Sequence, residues 1–419
     1  MSKHHSPRSA LLAALIFVAG LAALAREAEK APAFVVATAD GKKLTAPLRE
    51  LRDDWSLHTG DTAERHLAPA DWLSLRLDGR KLPSYPAGPH LILVNGDRIP
   101  FDFLRLDGET LHTKNPDLAG GKDALVPLTA VSVVWLATPD NTEFPDRLRR
   151  TLATGKRTRD QVLLRNGDVL EGVLNALTPK KVEIEVDKKQ VEVAFDTVAA
   201  VALGTDVVTA LKPKGVYGHV VLLGDAGSNG TRLSLLSATC GDGRTLEGKT
   251  VFGSTLRVPL DRVAALDVYQ GGAVYLSDLK PDKFEFTSFL GDDGPVWPLV
   301  ADGTVDNRDL RLGGSTYDRG LGLHSRSRVT YNLAGAYRRF ESLVGIDDEA
   351  GRVGGARVRI LADGKPLDLG PGTELTPGSG PLVVGVSVAG VKELTLVVDF
   401  GKRGDVQGRV DWCDARLVK

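Results

Sequence analysis

Val162-Leu-Leu-Arg-Asn-Gly-Asp-Val-Leu-Glu-Gly-Val-Leu174 sets two short apolar-rich runs on either side of Asn166-Gly167. Asn-Gly is the strongest short hairpin signal, because both central positions of a type I′ turn need positive φ, which asparagine and glycine tolerate. The flanks alternate apolar with polar residues and are rich in valine, as half-buried strands are. Leu91-Ile-Leu-Val-Asn-Gly-Asp-Arg-Ile99 repeats the pattern, and Leu233-Ser-Leu-Leu-Ser237 with Asp242-Gly-Arg-Thr-Leu246 gives a third copy. Phe34-Val-Val-Ala-Thr-Ala-Asp-Gly-Lys-Lys-Leu44 starts a weaker one. Turn chemistry alone accounts for Asn95, Gly96 and Asp97 and for Asn166, Gly167 and Asp168, so these carboxylates read as hairpin residues rather than metal or catalytic groups.

Outward from the hairpins, further alternating segments lead to a valine-rich closing run, such as Val131-Ser-Val-Val-Trp135 or Val263-Ala-Ala-Leu266. A Val-Pro-Leu segment precedes two of these runs, and proline does little harm at a strand start or edge. Roughly five short strands per copy make a small barrel or a strongly twisted sheet that hides its own edges. The expected fold is therefore mainly β, with tandem small SH3/Sm-like β-barrel-type units over 26–139 and 161–272. The polar segment 140–160, with Arg147, Arg149 and Arg150, reads as a solvated linker carrying one short helix.

After Gly271-Gly272 the repeat stops. From 275 to 419 strand candidates follow one another between glycine-rich turns, as in Ala356-Arg-Val-Arg-Ile360 and Glu393-Leu-Thr-Leu-Val-Val-Asp-Phe400. No helical period competes, which argues for an antiparallel β-sandwich. Tyr317-Asp-Arg-Gly-Leu-Gly-Leu-His324 reads as a glycine-hinged loop, and Asp347-Asp348-Glu349 as an acidic turn. Tyr331, Phe340 and Trp412 alternate with other apolar residues and are assigned to the core.

The series Tyr317–His324, Tyr331-Asn-Leu-Ala-Gly335, Val344-Gly-Ile-Asp-Asp-Glu349, Val358-Arg-Ile-Leu-Ala-Asp-Gly364 and Asp411-Trp-Cys-Asp-Ala-Arg-Leu417 resembles the NPCBM family of carbohydrate-binding modules. That resemblance covers the C-terminal third and implies a jelly-roll β-sandwich, related to galactose-binding domains, that recognises galactose-type sugars. It implies nothing about catalysis. Sugars are held by an aromatic face against C–H surface and by charge-assisted hydrogen bonds to hydroxyls. The candidate ligand-binding residues are His324, Arg326, Asp347, Asp348, Glu349 and Arg352, with Trp297 as a platform. No cofactor is expected; a structural calcium, common in galactose-binding-like domains, would draw on the acidic turn, which otherwise reads as a solvated one. The alternative reading is a cell-envelope scaffold or protein-interaction module whose sandwich no longer binds sugar.

Composition narrows the remaining classes. A formal net charge of -1 gives no support for nucleic-acid binding, which needs a concentrated basic face. Residues 1–25 place Lys3, His4, His5 and Arg8 before an apolar run that ends in Ala23-Leu24-Ala25, the pattern of a signal peptide. Export to the envelope or beyond is therefore expected, with no membrane contact after cleavage. Cys240 and Cys413 read as isolated buried thiols, with a bridge between them left open. His58, His66, His90 and His112 stand at no ligand spacing, so no metal site is expected. No catalytic motif is present, and the chain reads as a non-enzyme.

Overall fold

The computed structural model describes residues 31–60, 64–205, 211, 213–224, 230–292 and 294–419. The signal-type segment lies outside the described residues. No described helix is long and apolar enough to cross a membrane.

The chain is mainly β, and its strand pairing recurs four times. In the third copy Asp160–Leu164 pairs both Val169–Leu177 and the closing strand Val198–Ala202, while Lys181–Val186 pairs Val169–Leu177 and Lys189–Ala194. Ala33–Thr38 opens the first copy with the same pattern and Tyr217–Leu222 opens the fourth. The second, opened by His90–Leu93, has its second strand split into Arg98–Pro100 and Phe103–Asp107. Tyr217–Leu222 carries no hairpin signal because its partner strand begins only at Arg232.

The Asn-Gly turns differ from expectation. Gly96 and Gly167 have φ of 91° and 94°, but neither Asn95 nor Asn166 has positive φ. The Gly167 N–H donates to the Leu164 carbonyl at 3.0 Å and the Leu164 N–H to Asp168 at 2.8 Å, a tight turn followed by a glycine bulge rather than type I′. Asparagine is used through its side chain instead: Asn166 Oδ1 accepts the Asp168 N–H at 3.0 Å.

Closing strands join the copies in pairs. Trp72–Leu77 of the first pairs Val263–Tyr269 of the fourth, and Val131–Trp135 of the second pairs Val198–Ala202 of the third. Edges are thus buried by neighbouring copies rather than by closure of each unit, and the units share one apolar core from Phe34 to Val268. The helix Pro145–Thr154 is not the solvated linker expected. Leu148 and Leu152 pack on Trp135 and Ala200, and Asp146 and Arg149 are buried.

The C-terminal part is a two-sheet antiparallel sandwich. One sheet runs Val300–Ala301, Gly320–His324, Arg409–Val418, Arg339–Ile346, Leu382–Ser387. The other runs Lys283–Phe286, Ser327–Asn332, Glu393–Phe400, Ala356–Ala362, Lys365–Pro366. Trp412, Tyr331 and Phe340 fill the space between the sheets and are essentially inaccessible. Cys240 and Cys413 are free and buried. The segment Gly320–His324, expected as a loop, is a fully buried strand paired with Arg409–Val418. Its glycine answers a close backbone approach rather than a hinge: a Cβ on Gly322 would lie 2.3 Å from the Gly303 carbonyl oxygen.

Candidate functional site

At one end of the sandwich the strand Gly320–His324 delivers His324 to a cluster of loops. The imidazole is buried, and its Nδ1 lies 2.7 Å from the Ser325 carbonyl. A carbonyl can only accept, so Nδ1 carries the proton and Nε2 is left as an acceptor. Burial, outweighing that hydrogen bond, lowers the His324 pKa and keeps the ring neutral. Trp297 stacks flat on it, with ring centroids 4.8 Å apart and planes at 9°, and Phe286 meets it edge-on at 6.5 Å.

Around this stack the loops are held together by backbone contacts. The Ser325 N–H donates to Gly408 and the Thr287 N–H to the Arg326 carbonyl, each at 2.9 Å. Arg403 donates to the Val353 carbonyl at 3.3 Å. Phe289, Leu290, Val296, Val353 and Val406, all on these loops, are exposed by 54%, 72%, 79%, 48% and 47%, so this end gathers half of the large apolar side chains that the described residues expose. Phe289 is braced edge-on against Phe400 at 5.1 Å. Gln407 fills the space beside Gly351, and its Oε1 has no hydrogen-bond partner.

The seven residues singled out in the sequence divide. Trp297 and His324 come together. Arg326 stands on the adjoining sheet face, 3.6 Å from Asp399, which also pairs with Arg359 at 2.6 Å. Arg352 is exposed on the loop beside Gln407. The acidic turn is engaged elsewhere: Asp348 accepts the Gly313 and Gly314 N–H groups at 3.0 and 2.7 Å, and Glu349 pairs Arg308 at 3.2 Å and Arg311 at 2.7 Å. Asp347 is buried beside Asp411; burial raises both carboxyls, Asp411 further because of the Asp347 charge.

For a structural calcium, which takes six to eight oxygens, the turn offers little: Asp348 and Glu349 are already engaged, and no third His, Cys, Asp or Glu joins Asp347 and Asp411 among the described residues. The histidines are less scattered than their spacing suggests. His58 and His66 face each other across a hairpin with rings 4.0 Å apart, and Glu64 lies 3.4 Å from His58, a grouping with metal-ligand donors. Strand pairing, invisible in the spacing, creates it.

Phe289, Gln407 and Arg403 were not anticipated. The run Phe284-Glu-Phe-Thr-Ser-Phe289 reads as one strand candidate, but the strand stops at Phe286 and leaves Phe289 on the loop. Gln407 and Arg403 lie in a glycine-rich loop with no local signal.

Residues 272–418, about a third of the chain, match the family described as the NPCBM/NEW2 domain. A Renibacterium salmoninarum protein named "Putative endo-alpha-N-acetylgalactosaminidase" is 27% identical over 184 residues. The aligned region is 42% of this chain, which spans only 12% of that relative's length. Among solved structures, a CBM51 module of Clostridium perfringens in complex with methyl-galactose is 26% identical, covering 35% of this chain and 99% of that one at a TM-score of 0.31. Tandem CBM51 modules of a family 98 glycoside hydrolase from Streptococcus pneumoniae are 14% identical, covering 79% of this chain and 88% of that one at a TM-score of 0.31.

Proposed function

We propose that this chain is an exported, non-catalytic glycan-binding protein that takes a galactose-type sugar on the loop end of its C-terminal sandwich. The observation that carries the reading is the Trp297–His324 stack set among exposed apolar side chains, inside the region that matches a carbohydrate-binding family. A sugar ring offers a C–H face for indole and phenyl surfaces and hydroxyls for charged and amide groups. Trp297 and Phe289 supply the first, and His324 Nε2, Arg326, Arg352 and Gln407 the second. Export rests on the signal-type pattern of residues 1–25. The relative's hydrolase name is not carried over, since so little of that protein is shared.

One observation favours a second reading. Leu290 and Val296 are exposed by 72% and 79%, more than a single sugar ring covers, and would suit an envelope protein partner. A glycan array with the full chain separates the two. Saturable binding of terminal galactose-type glycans is expected, weakened at least tenfold, about 1.4 kcal/mol, in Trp297→Ala with its melting temperature retained. No saturable glycan, together with one envelope protein captured through Leu290 and Val296, overturns the sugar reading in favour of the scaffold.

A further inference from the structure

A cavity of about 430 Å³ lies away from the loop end, between the second and fourth β units, the helix Pro145–Thr154 and the inner edge of the sandwich. Exposed Gly96 and Thr154 bound its mouth. Its volume is in the range of small-molecule sites.

The lining is chemically unusual for an interface between β units. Arg98 is 5% exposed, and its Nε and Nη1 have no hydrogen-bond partner. Its guanidinium instead lies over the Tyr85 ring at 4.5 Å, with Arg232 over the same ring at 4.7 Å. Burying charged N–H groups without an acceptor costs several kcal/mol in order of magnitude, so such a group is costly unless an acceptor comes to it. His219 is stacked parallel to Tyr269, with centroids 5.4 Å apart and planes at 7°. Its nitrogens lie 3.5 Å from Asp318 and 3.8 Å from Asp97. Burial alone would lower the His219 pKa, but Asp318 and Asp97 outweigh it and raise it.

Asp97 shows how far this site departs from its repeat. Its counterpart Asp168 is an exposed turn residue, whereas Asp97 is fully buried and accepts from Ser234 N at 2.7 Å and Oγ at 2.8 Å. Hairpin chemistry alone therefore does not account for Asp97. The serine hydroxyl is bonded to the carboxylate and not to the imidazole, so Ser234 is not an activated nucleophile.

Among the lining side chains Arg319 is already paired with Asp302 at 2.9 Å, and Asp318 with Arg232 at 3.2 Å. The cation left without an acceptor on its Nε and Nη1 is Arg98, which calls for an anion. The two carboxylates would repel a dianion and can accept hydrogen bonds from hydroxyls, while Tyr217 adds an aromatic wall. We propose that this cavity binds a monosaccharide-sized, hydroxyl-bearing carboxylate of the uronic-acid type, its carboxylate on Arg98 and its hydroxyls on Asp302 and Asp318. The site is independent of the loop end around Trp297.

Titration calorimetry of the full chain with D-glucuronate, D-glucose and inorganic phosphate tests this. Glucuronate is expected to bind saturably, at least tenfold more tightly than either comparator. Arg98→Met, which removes a buried unpaired charge, should fold and lose at least tenfold in affinity. Thr154→Trp, which obstructs the mouth without touching the buried charges, should lose as much. Trp297→Ala should bind glucuronate as the parent does, even where it has lost neutral glycans. Absence of saturable binding in the parent, equal binding of phosphate or glucose, or full binding by both Arg98→Met and Thr154→Trp would overturn the proposal. So would loss of glucuronate binding in Trp297→Ala, which would place that sugar at the loop end.

Discussion

Asp347 and Asp411 sit on neighbouring segments of the sandwich, both buried, and three of their carboxyl oxygens have no hydrogen-bond partner. Their raised pKa values fix the sign of a pH effect. A carboxyl whose folded pKa lies above its unfolded value of about 4 stabilises the fold fully below that value. The contribution is lost as pH rises through the folded pKa. Asp411→Asn keeps the shape and removes the titration. The melting temperature of the parent is therefore expected to fall relative to Asp411→Asn as pH rises from 5 to 8, measured by calorimetry at several pH values; parallel profiles would contradict the raised carboxyl. At this scale the sequence was legible where periodicity decided the matter, as for Tyr331, Phe340 and Trp412. It was silent where a partner distant in sequence set the environment, as Ser234 does for Asp97 or Arg311 for Glu349.

Strands were read more reliably than what lies between them, and the reason is local. A two-residue alternation is written into the segment itself, but the use made of a glycine depends on what crosses it. Gly320-Leu-Gly-Leu-His324 looks like a hinge until the segment carrying Gly303 and Thr304 is laid against it. Gly322→Ala would drive a methyl group into that backbone, which cannot swing aside as a side chain can. Overpacking of this kind costs about 1–3 kcal/mol, and the expected readout is a lower urea midpoint with an unchanged slope. An unchanged midpoint would mean that the strand Gly320–His324 shifts freely, and would weaken the case that it fixes the position of His324. The helix Pro145–Thr154 carries the same lesson. Its charged composition reads as solvated, yet Asp146 pairs with Arg308 at 3.1 Å and Arg149 lies over Trp135 at 5.3 Å.

The sandwich is joined to the β units by charged residues reaching across. Arg76, in the closing strand of the first unit, donates to Asp267 of the fourth at 2.7 Å and to Asp414 of the sandwich at 3.3 Å. Arg76→Met would take the ion-pair partner from both carboxylates. With the side chain 23% exposed, a loss of about 2–3 kcal/mol is expected, below the range for a fully buried pair. Calorimetry should show a lower transition or the sandwich melting separately; an unaltered single transition would show that the apolar contacts alone couple the parts. None of this tethering was legible beforehand, because ion pairs between distant segments leave no periodic trace. The pairing of the first unit with the fourth also has a consequence for how the chain is made. Trp72-Leu-Ser-Leu-Arg-Leu77 finds its outer partner only about 190 residues later, where Ala265 meets Arg76. At synthesis rates of about 5–20 residues per second, an apolar strand edge stays open for roughly 10–40 s. Through that interval the nascent chain offers a template for stray strands, and Arg76 is the one charge that interrupts it.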